Sequence, residues 1–249
     1  MYRMSMSATL VAFVVLPVLQ AGAAEPRFEL AVQRDRLVGS SRGTLVFEAA
    51  TIEYRTTNTA DARRWTYDDI KQLQVLSPVR MAILTYEDQG RLKLGADRTF
   101  EFTVTGSTIP SGLVSFLLER IAQPVVTAVM PESGGESLFS VRVKHQRRGR
   151  GSEGTLELHD GHLAYLTPDD GDGRYWRFGD IYAVLPLDRS RLQVTVYEGG
   201  GGRTRTLVFE LKSDPPAGFY DALWSRVNAA ALGRLPPELK AAGDVAGGQ

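Results

Sequence analysis

The chain has no cysteine, which excludes disulfide staples, thiol nucleophiles, cysteine-based zinc sites and thiol redox switching. Its folded parts must be held by their cores alone. Histidine is nearly as scarce: His145, His159 and His162 are the only three, all in the C-terminal half. Charge of one sign is missing as well, with 29 Lys and Arg against 29 Asp and Glu. Nucleic-acid binding draws on an excess of Lys and Arg to displace counterions from phosphates, so nucleic acid is not an expected partner. Any anion site must be local.

Motifs that carry chemistry are also absent. No G-x-S-x-G, P-loop or dinucleotide fingerprint occurs, and the glycine run "EGGGGR" at 198–203 lacks the Lys and the Ser or Thr that cradle phosphate. Paired carboxylates for glycoside hydrolysis could come from distant segments, but nothing marks them.

Long hydrophobic runs are missing except for one. Arg3 is followed by an apolar stretch from Ala8 to Leu19 and then the small residues Ala21, Gly22, Ala23 and Ala24. This order is that of a secretory signal peptide over 1–24, cleaved before Glu25 or one residue earlier. The alternative, an uncleaved anchor, needs roughly twenty apolar residues, and this stretch is shorter and interrupted by Pro17. No cysteine follows it to take a lipid. The expected location is periplasmic or secreted.

What is present is a repeat. Displaced by 111 positions, the chain aligns Phe28 with Phe139, Val32 with Val143, Gly43-Thr44-Leu45 with Gly154-Thr155-Leu156, and Tyr54 with Tyr165. The same offset pairs Arg63 with Arg174, Trp65 with Trp176, Asp69-Ile70 with Asp180-Ile181, and Tyr86-Glu87 with Tyr197-Glu198. Past Glu87 the offset falls to 107 and then 106, matching Arg98 with Arg205, Phe102 with Phe209, and Leu117 with Leu223. A period near 110 is too long for a solenoid unit, so each copy is domain-sized. The expected division is a first domain over 25–123, a linker over 124–137, a second domain over 138–232 and a flexible tail over 233–249. Gly, Pro and Ala mark the linker's second half and the tail.

Within a copy, Phe28, Leu30 and Val32 alternate as in a strand with one buried face, as do Leu45 with Phe47 and Ile52 with Tyr54. Asp160-Gly161 suits a hairpin turn. The period then changes: Leu113, Phe116, Leu117 and Ile121 recur at helical spacing, as do Phe219, Leu223 and Val227. Ser213 or Asp214 is a candidate cap for the second helix, with Pro215-Pro216 at its first positions.

Seven or so short strands, one closing amphipathic helix, and a W-x-[YF]-x-D-I stretch at Trp65–Ile70 and Trp176–Ile181 resemble the pleckstrin-homology-like superfold of bacterial proteins. The resemblance implies a mainly β (α+β) fold of two tandem barrels, each closed by its helix. One departure is that Leu118 stands in the first copy where the second has Trp224. Both mid-domain tryptophans are expected in the core, and Asp69 and Asp180 are expected to accept backbone N–H bonds at a turn.

Candidate sites are few. His159 and His162 flank a hairpin turn, but a third firm metal ligand cannot be named. "PDDGDG" at 168–173 loosely suggests a calcium loop, yet the twelfth position from Asp170 is Ile181 where a bidentate Glu is required, so it is expected to be a solvated turn. Lys144, Arg147, Arg148 and Arg150 form a basic loop with no acid before Glu153. The resemblance makes that loop interesting, because such domains gather headgroup-binding cations after their first strand, and guanidinium forks suit phosphate and carboxylate. The alternative is a hairpin kept soluble by its charges.

The expected function is that of an exported, non-enzymatic binding or scaffolding protein with a protein partner and no cofactor or metal. A module for an anionic lipid or phosphorylated ligand, worked by Lys144, Arg147, Arg148 and Arg150, is the first alternative. An unrecognised hydrolase using Asp170 and His162 is the second.

Overall fold

A computed structural model describes residues 27–35, 39–89, 96–132, 135–147, 149–199 and 203–234. The expected signal peptide, Arg148 and residues 235–249 lie outside these described residues. The first half contains β1 (Phe28–Asp35), β2 (Ser40–Phe47), β3 (Thr51–Thr56), β4 (Arg63–Thr66), β5 (Ile70–Ser77), β6 (Arg80–Asp88), β7 (Asp97–Val104) and α1 (Ser111–Arg120). A short strand, β8 (Val125–Thr127), follows. The second half repeats the series as β9 (Phe139–Gln146), β10 (Ser152–Leu158), β11 (His162–Leu166), β12 (Arg174–Arg177), β13 (Ile181–Pro186), β14 (Arg191–Gly199), β15 (Arg203–Leu211) and α2 (Phe219–Gly233).

The fold is mainly β, but it is not two closed barrels. All fifteen strands form one continuous sheet in the order β13-β14-β15-β9-β10-β11-β12-β8-β5-β6-β7-β1-β2-β3-β4. The two halves share one internal order, read in the same direction, and β8 joins them. This strand falls inside the stretch expected to be linker. Its β-branched residues favour extended backbone, and Val125, Val126 and Thr127 are buried, as a strand enclosed on both sides requires. β8 runs parallel to β5, pairing Val125–Thr127 with Leu73–Val75, and meets β12 antiparallel at Tyr175. Leu73 N–H donates to the Pro124 carbonyl at 3.2 Å and Ala128 N–H to the Val75 carbonyl at 2.8 Å. Unpaired edge groups invite such pairing. The β5 and β12 edges, which separate barrels would have needed to hide, are consumed by it.

Each half still buries its own side chains. One cluster gathers Leu30, Tyr54, Trp65, Phe100 and Leu117, the other Val143, Tyr165, Trp176, Phe209 and Leu223. Both helices present their expected apolar stripes inward. The repeat extends to backbone detail: a register shift falls between Ile70 and Gln72 in β5 and between Ile181 and Ala183 in β13. Glycine is matched for a steric reason. A Cβ on Gly43 or Gly154 would lie 2.2 Å from the carbonyl oxygen of Arg55 or Leu166, closer than any side chain tolerates.

The second helix begins later than its prolines suggest. Gly218, at φ +82°, precedes Phe219, while Pro215 and Pro216 lie before the helix and the Pro216 carbonyl accepts the Phe219 N–H at 3.1 Å. Beside β8, Arg177 closes the junction. Its guanidinium donates to the Leu118, Ile121 and Gln123 carbonyls at 2.7–2.9 Å and to both Asp180 oxygens at 2.8 and 3.0 Å. A cation is thereby held against the C-terminal carbonyls of α1, where the helix dipole favours it. Gln72 Nε2 adds a bond to the Tyr197 carbonyl across the junction.

Candidate functional site

The basic loop does not stand alone. Arg147 lies 3.4 Å from Asp172, Arg150 lies 3.5 Å from Asp169, and Lys144 sits on β9 directly between Glu153 and Glu210 of the neighbouring strands. The chain thus folds the acidic turn 169–172 against the cations, and Arg148 is outside the described residues. Lys144, Arg147 and Arg150 each face an acid. The exposed Arg150–Asp169 pair contributes little stability, about 0–1 kcal/mol, and Arg147 reaches a carboxylate that is itself buried, but together these acids neutralise the field an anionic ligand would follow.

Polar clusters inside the halves are duplicated. Ser41 Oγ and Tyr54 OH lie 2.6 Å apart, as do Ser152 Oγ and Tyr165 OH. Beside them Arg34 pairs with Asp61 at 3.4 Å, and at the same offset His145 Nδ1 meets Asp172 at 3.0 Å. Ser152, His145 and Asp172 have the residue types of a hydrolase. Their connectivity is wrong: Ser152 donates to Asp172, His145 spends Nδ1 on the same carboxylate, and all three are at most 2% exposed. Burial pushes the His145 imidazole below its usual range against the pull of Asp172, while bonds from Ser152 and His145 outweigh burial and hold the Asp172 carboxyl below its own. The result is a histidine sealed beside a carboxylate. Position 34 of the first copy, an arginine, can supply no base.

A second duplicated cluster surrounds the tryptophans. Trp65 Nε1 donates to Glu87 at 2.8 Å, with Arg63 and Arg98 at 3.6 and 3.5 Å from the same carboxylate. Trp176 Nε1 donates to Glu198 at 3.1 Å, with Arg174 and Arg205 at 3.0 and 3.3 Å. The aligned pairs in the sequence name every member. Asp69 accepts the Thr66 N–H at 2.8 Å, as its turn position suggests, whereas the backbone bond to Asp180 comes from Val125 of β8 and not from its own turn.

His159 and His162 do approach each other, stacked at 4.2 Å between ring centroids, with Tyr175 stacked on His162 at 4.4 Å. Parallel rings aim their nitrogen lone pairs side by side, not at one point, which is unsuited to sharing a metal. Among the described residues, no group of three His, Asp or Glu is placed to hold one. Burial pushes the His162 imidazole down to about 4, helped by His159.

Several of the exposed large apolar side chains gather at one end of the sheet. β13 is an edge strand, and beside it Tyr182, Leu185, Leu187 and Trp224 are 59%, 52%, 41% and 61% exposed. Between β13 and α2 lies a small, mostly apolar cleft of about 170 Å³ lined by Val184, Pro186, Leu192, Tyr220, Leu223 and Trp224, with Asp221 the one acid in its wall. The Tyr220 hydroxyl there is buried without a hydrogen-bond partner. Sequence comparison of the copies marked position 224 but not its exposure. At the corresponding place in the first half, Leu118 packs partly against the core and β5 is covered by β8.

Among the described residues no helix is long and apolar enough to cross a membrane. No protein-family model matches the chain, and no curated protein matches it significantly. Solved structures give weak similarities. The C-terminal domain of an unknown protein from Leishmania infantum has 12% identity and a TM-score of 0.30, covering 37% of this chain and 84% of that one. The Spt16D–Pob3N heterodimer has 9% identity and a TM-score of 0.28, with 77% and 98% covered. The Bacillus subtilis inhibitor of motility, MotI/DgrA, has 9% identity and a TM-score of 0.16, with 83% and 97% covered. At these scores the similarities carry no weight for fold or function.

Proposed function

We propose that this is an exported, non-catalytic binding or scaffolding protein whose working surface is the β13–α2 end and whose partner is a polypeptide. The observation that carries this is the contrast between two equivalent edges. In the first half, Leu73–Val75 of β5 takes the extended apolar strand Val125–Thr127 beside it. The same offset places Val184–Pro186 of β13 at a free edge, next to exposed Leu185 and Trp224. An apolar cluster at a sheet edge is a docking feature. Pro186 stands where Val75 turns its backbone toward β8, so one ladder donor is missing. Binding here must draw on side chains filling the cleft, with an acceptor for the Tyr220 hydroxyl, more than on a strand ladder. The proline also guards the edge against indiscriminate pairing. We further propose that each half derives from one unit related to the pleckstrin-homology-like superfold, opened and spliced edge to edge.

A synthetic peptide with the sequence of residues 122–129, AQPVVTAV, is the direct probe. Titrated into the mature chain, it is expected to bind measurably, and Trp224→Asp or Leu185→Asp should abolish that binding without unfolding the protein. Equal binding by the Asp variants, or none by the parent, would contradict the assignment.

A further inference from the structure

A second cleft, of about 580 Å³, lies where the halves meet. That size suits a small molecule. Its walls come from both copies: Lys71, Gln72 and Tyr86 from the first, Tyr197 from β14, and Arg234 just past α2. Tyr86 and Tyr197 are the same position of the repeat, brought into one cavity because β8 splices the sheets. Each phenol ring has a cation near it, Lys71 Nζ at 5.7 Å from the Tyr86 centroid and the Arg234 guanidinium at 5.5 Å from that of Tyr197.

The charges in this cleft are not all matched. Arg177 spends its five N–H donors on Asp180 and three carbonyls. Lys71 is paired with Asp97 at 2.5 Å. Arg234 is different: its hydrogen bond among the described residues is to the Gly179 carbonyl, and the acid it senses, Asp180, is already held by the Arg177 fork. Among the described residues the cleft thus carries one positive charge in excess, beside an aromatic ring, in a wall that also includes Asp180, Ala122 and Pro124. Tyr86, 53% exposed, stands at the same wall with its ring open to solvent.

We propose that this junction cleft binds a small anionic molecule with a flat apolar ring and a carboxylate, the ring against Tyr86 and Tyr197 and the carboxylate on Arg234. Guanidinium–carboxylate geometry supplies the orientation, and the aromatic walls the contact area.

The test compares probes that share a ring and differ in charge. Indole-3-propionate and tryptamine are titrated into the mature chain by calorimetry near neutral pH. The anion is expected to bind at least about tenfold more tightly than the cation. Arg234→Gln should remove that preference, and Tyr86→Ser should weaken both probes, while Arg150→Gln, a remote basic change, leaves binding as it was. Melting curves check that the variants remain folded. Phenyl phosphate serves as a third arm, and binding tighter than indole-3-propionate would replace the carboxylate by a phosphate and overturn the class proposed. Equal affinity for anion and cation, no binding of the anion, or a preference that survives Arg234→Gln would overturn the site. Trp224→Asp should leave this binding intact, which separates it from the β13–α2 surface.

Discussion

Glu87 and Glu198 hold the same partners in the two halves, one tryptophan and two arginines, yet their side chains are 35% and 2% exposed. The difference comes from position in the sheet. β4 is the free end, so the cluster beside it meets solvent. Its counterpart β12 lies inside, covered by β8, and a Cβ placed on Gly173 in the adjoining turn would touch the Ala128 carbonyl and the Met130 side chain. One local sequence thus makes a surface ion pair in one setting and a buried one in the other. Burial changes what the carboxylate contributes, because removing one member of a buried pair strands the other without water.

The largest effect should separate those two sites. Glu198→Ala leaves Arg174, itself 8% exposed, without its carboxylate, and is expected to cost about 3–5 kcal/mol. Glu87→Ala should cost about 1 kcal/mol or less. Urea unfolding of the two variants decides it, and equal losses would break the comparison. Next is the junction. Arg177→Ala removes the donor to three carbonyls at and just past the end of α1 and is expected to cost about 2–3 kcal/mol and to divide one unfolding transition into two. Its positional equivalent, Thr66→Ala, should change stability by about 0.5 kcal/mol and leave the transition single. Paired calorimetric scans would show either.

A smaller effect should depend on pH and come from the second half alone, which holds every histidine. The folded imidazole of His162 lies at about 4, below its value in the unfolded chain. As pH falls, the unfolded state takes the proton first. His162 therefore leaves stability intact above about pH 6.5 and withdraws it progressively down to about 4. The loss expected is about 1–2 kcal/mol once solvent screening is discounted. Melting temperatures across that window should fall for the parent and fall less for His162→Gln. The smallest change is at Trp224. Trp224→Ser should shift stability by less than about 0.5 kcal/mol, whereas Trp176→Ala, in the core, should cost about 3–5 kcal/mol.

The repeat made much of the interior legible. Arg63, Trp65, Glu87 and Arg98 recur as Arg174, Trp176, Glu198 and Arg205, so the repeat marks each of these residues, although only the fold shows that they meet around one carboxylate. The helical stripes at Leu117 and Leu223 were legible for the same reason, being local periodicity. β8 was not. Three residues between Pro124 and a Gly-rich stretch show no period, and what makes them a strand is pairing with β5, some fifty positions earlier in the chain, and with β12. The barrels expected from pattern alone failed at that point. The acids facing Arg147 and Arg150 were hidden likewise, since residues 169–172 reach the loop only through the β10–β11–β12 order. Trp224 marks a third kind of failure: helical spacing identifies the buried stripe but gives no sign of what covers the flank beside it.

Amide hydrogen exchange at the spliced strand tests the central claim most directly. If β8 truly joins the halves into one sheet, the Leu73 and Ala128 amides, bonded to Pro124 and Val75, should be protected as strongly as those of Ile83 or Val194 in the flanking interior strands. Free exchange at Leu73 and Ala128 alongside protected cores would mean that the halves are separate bodies and would contradict the account.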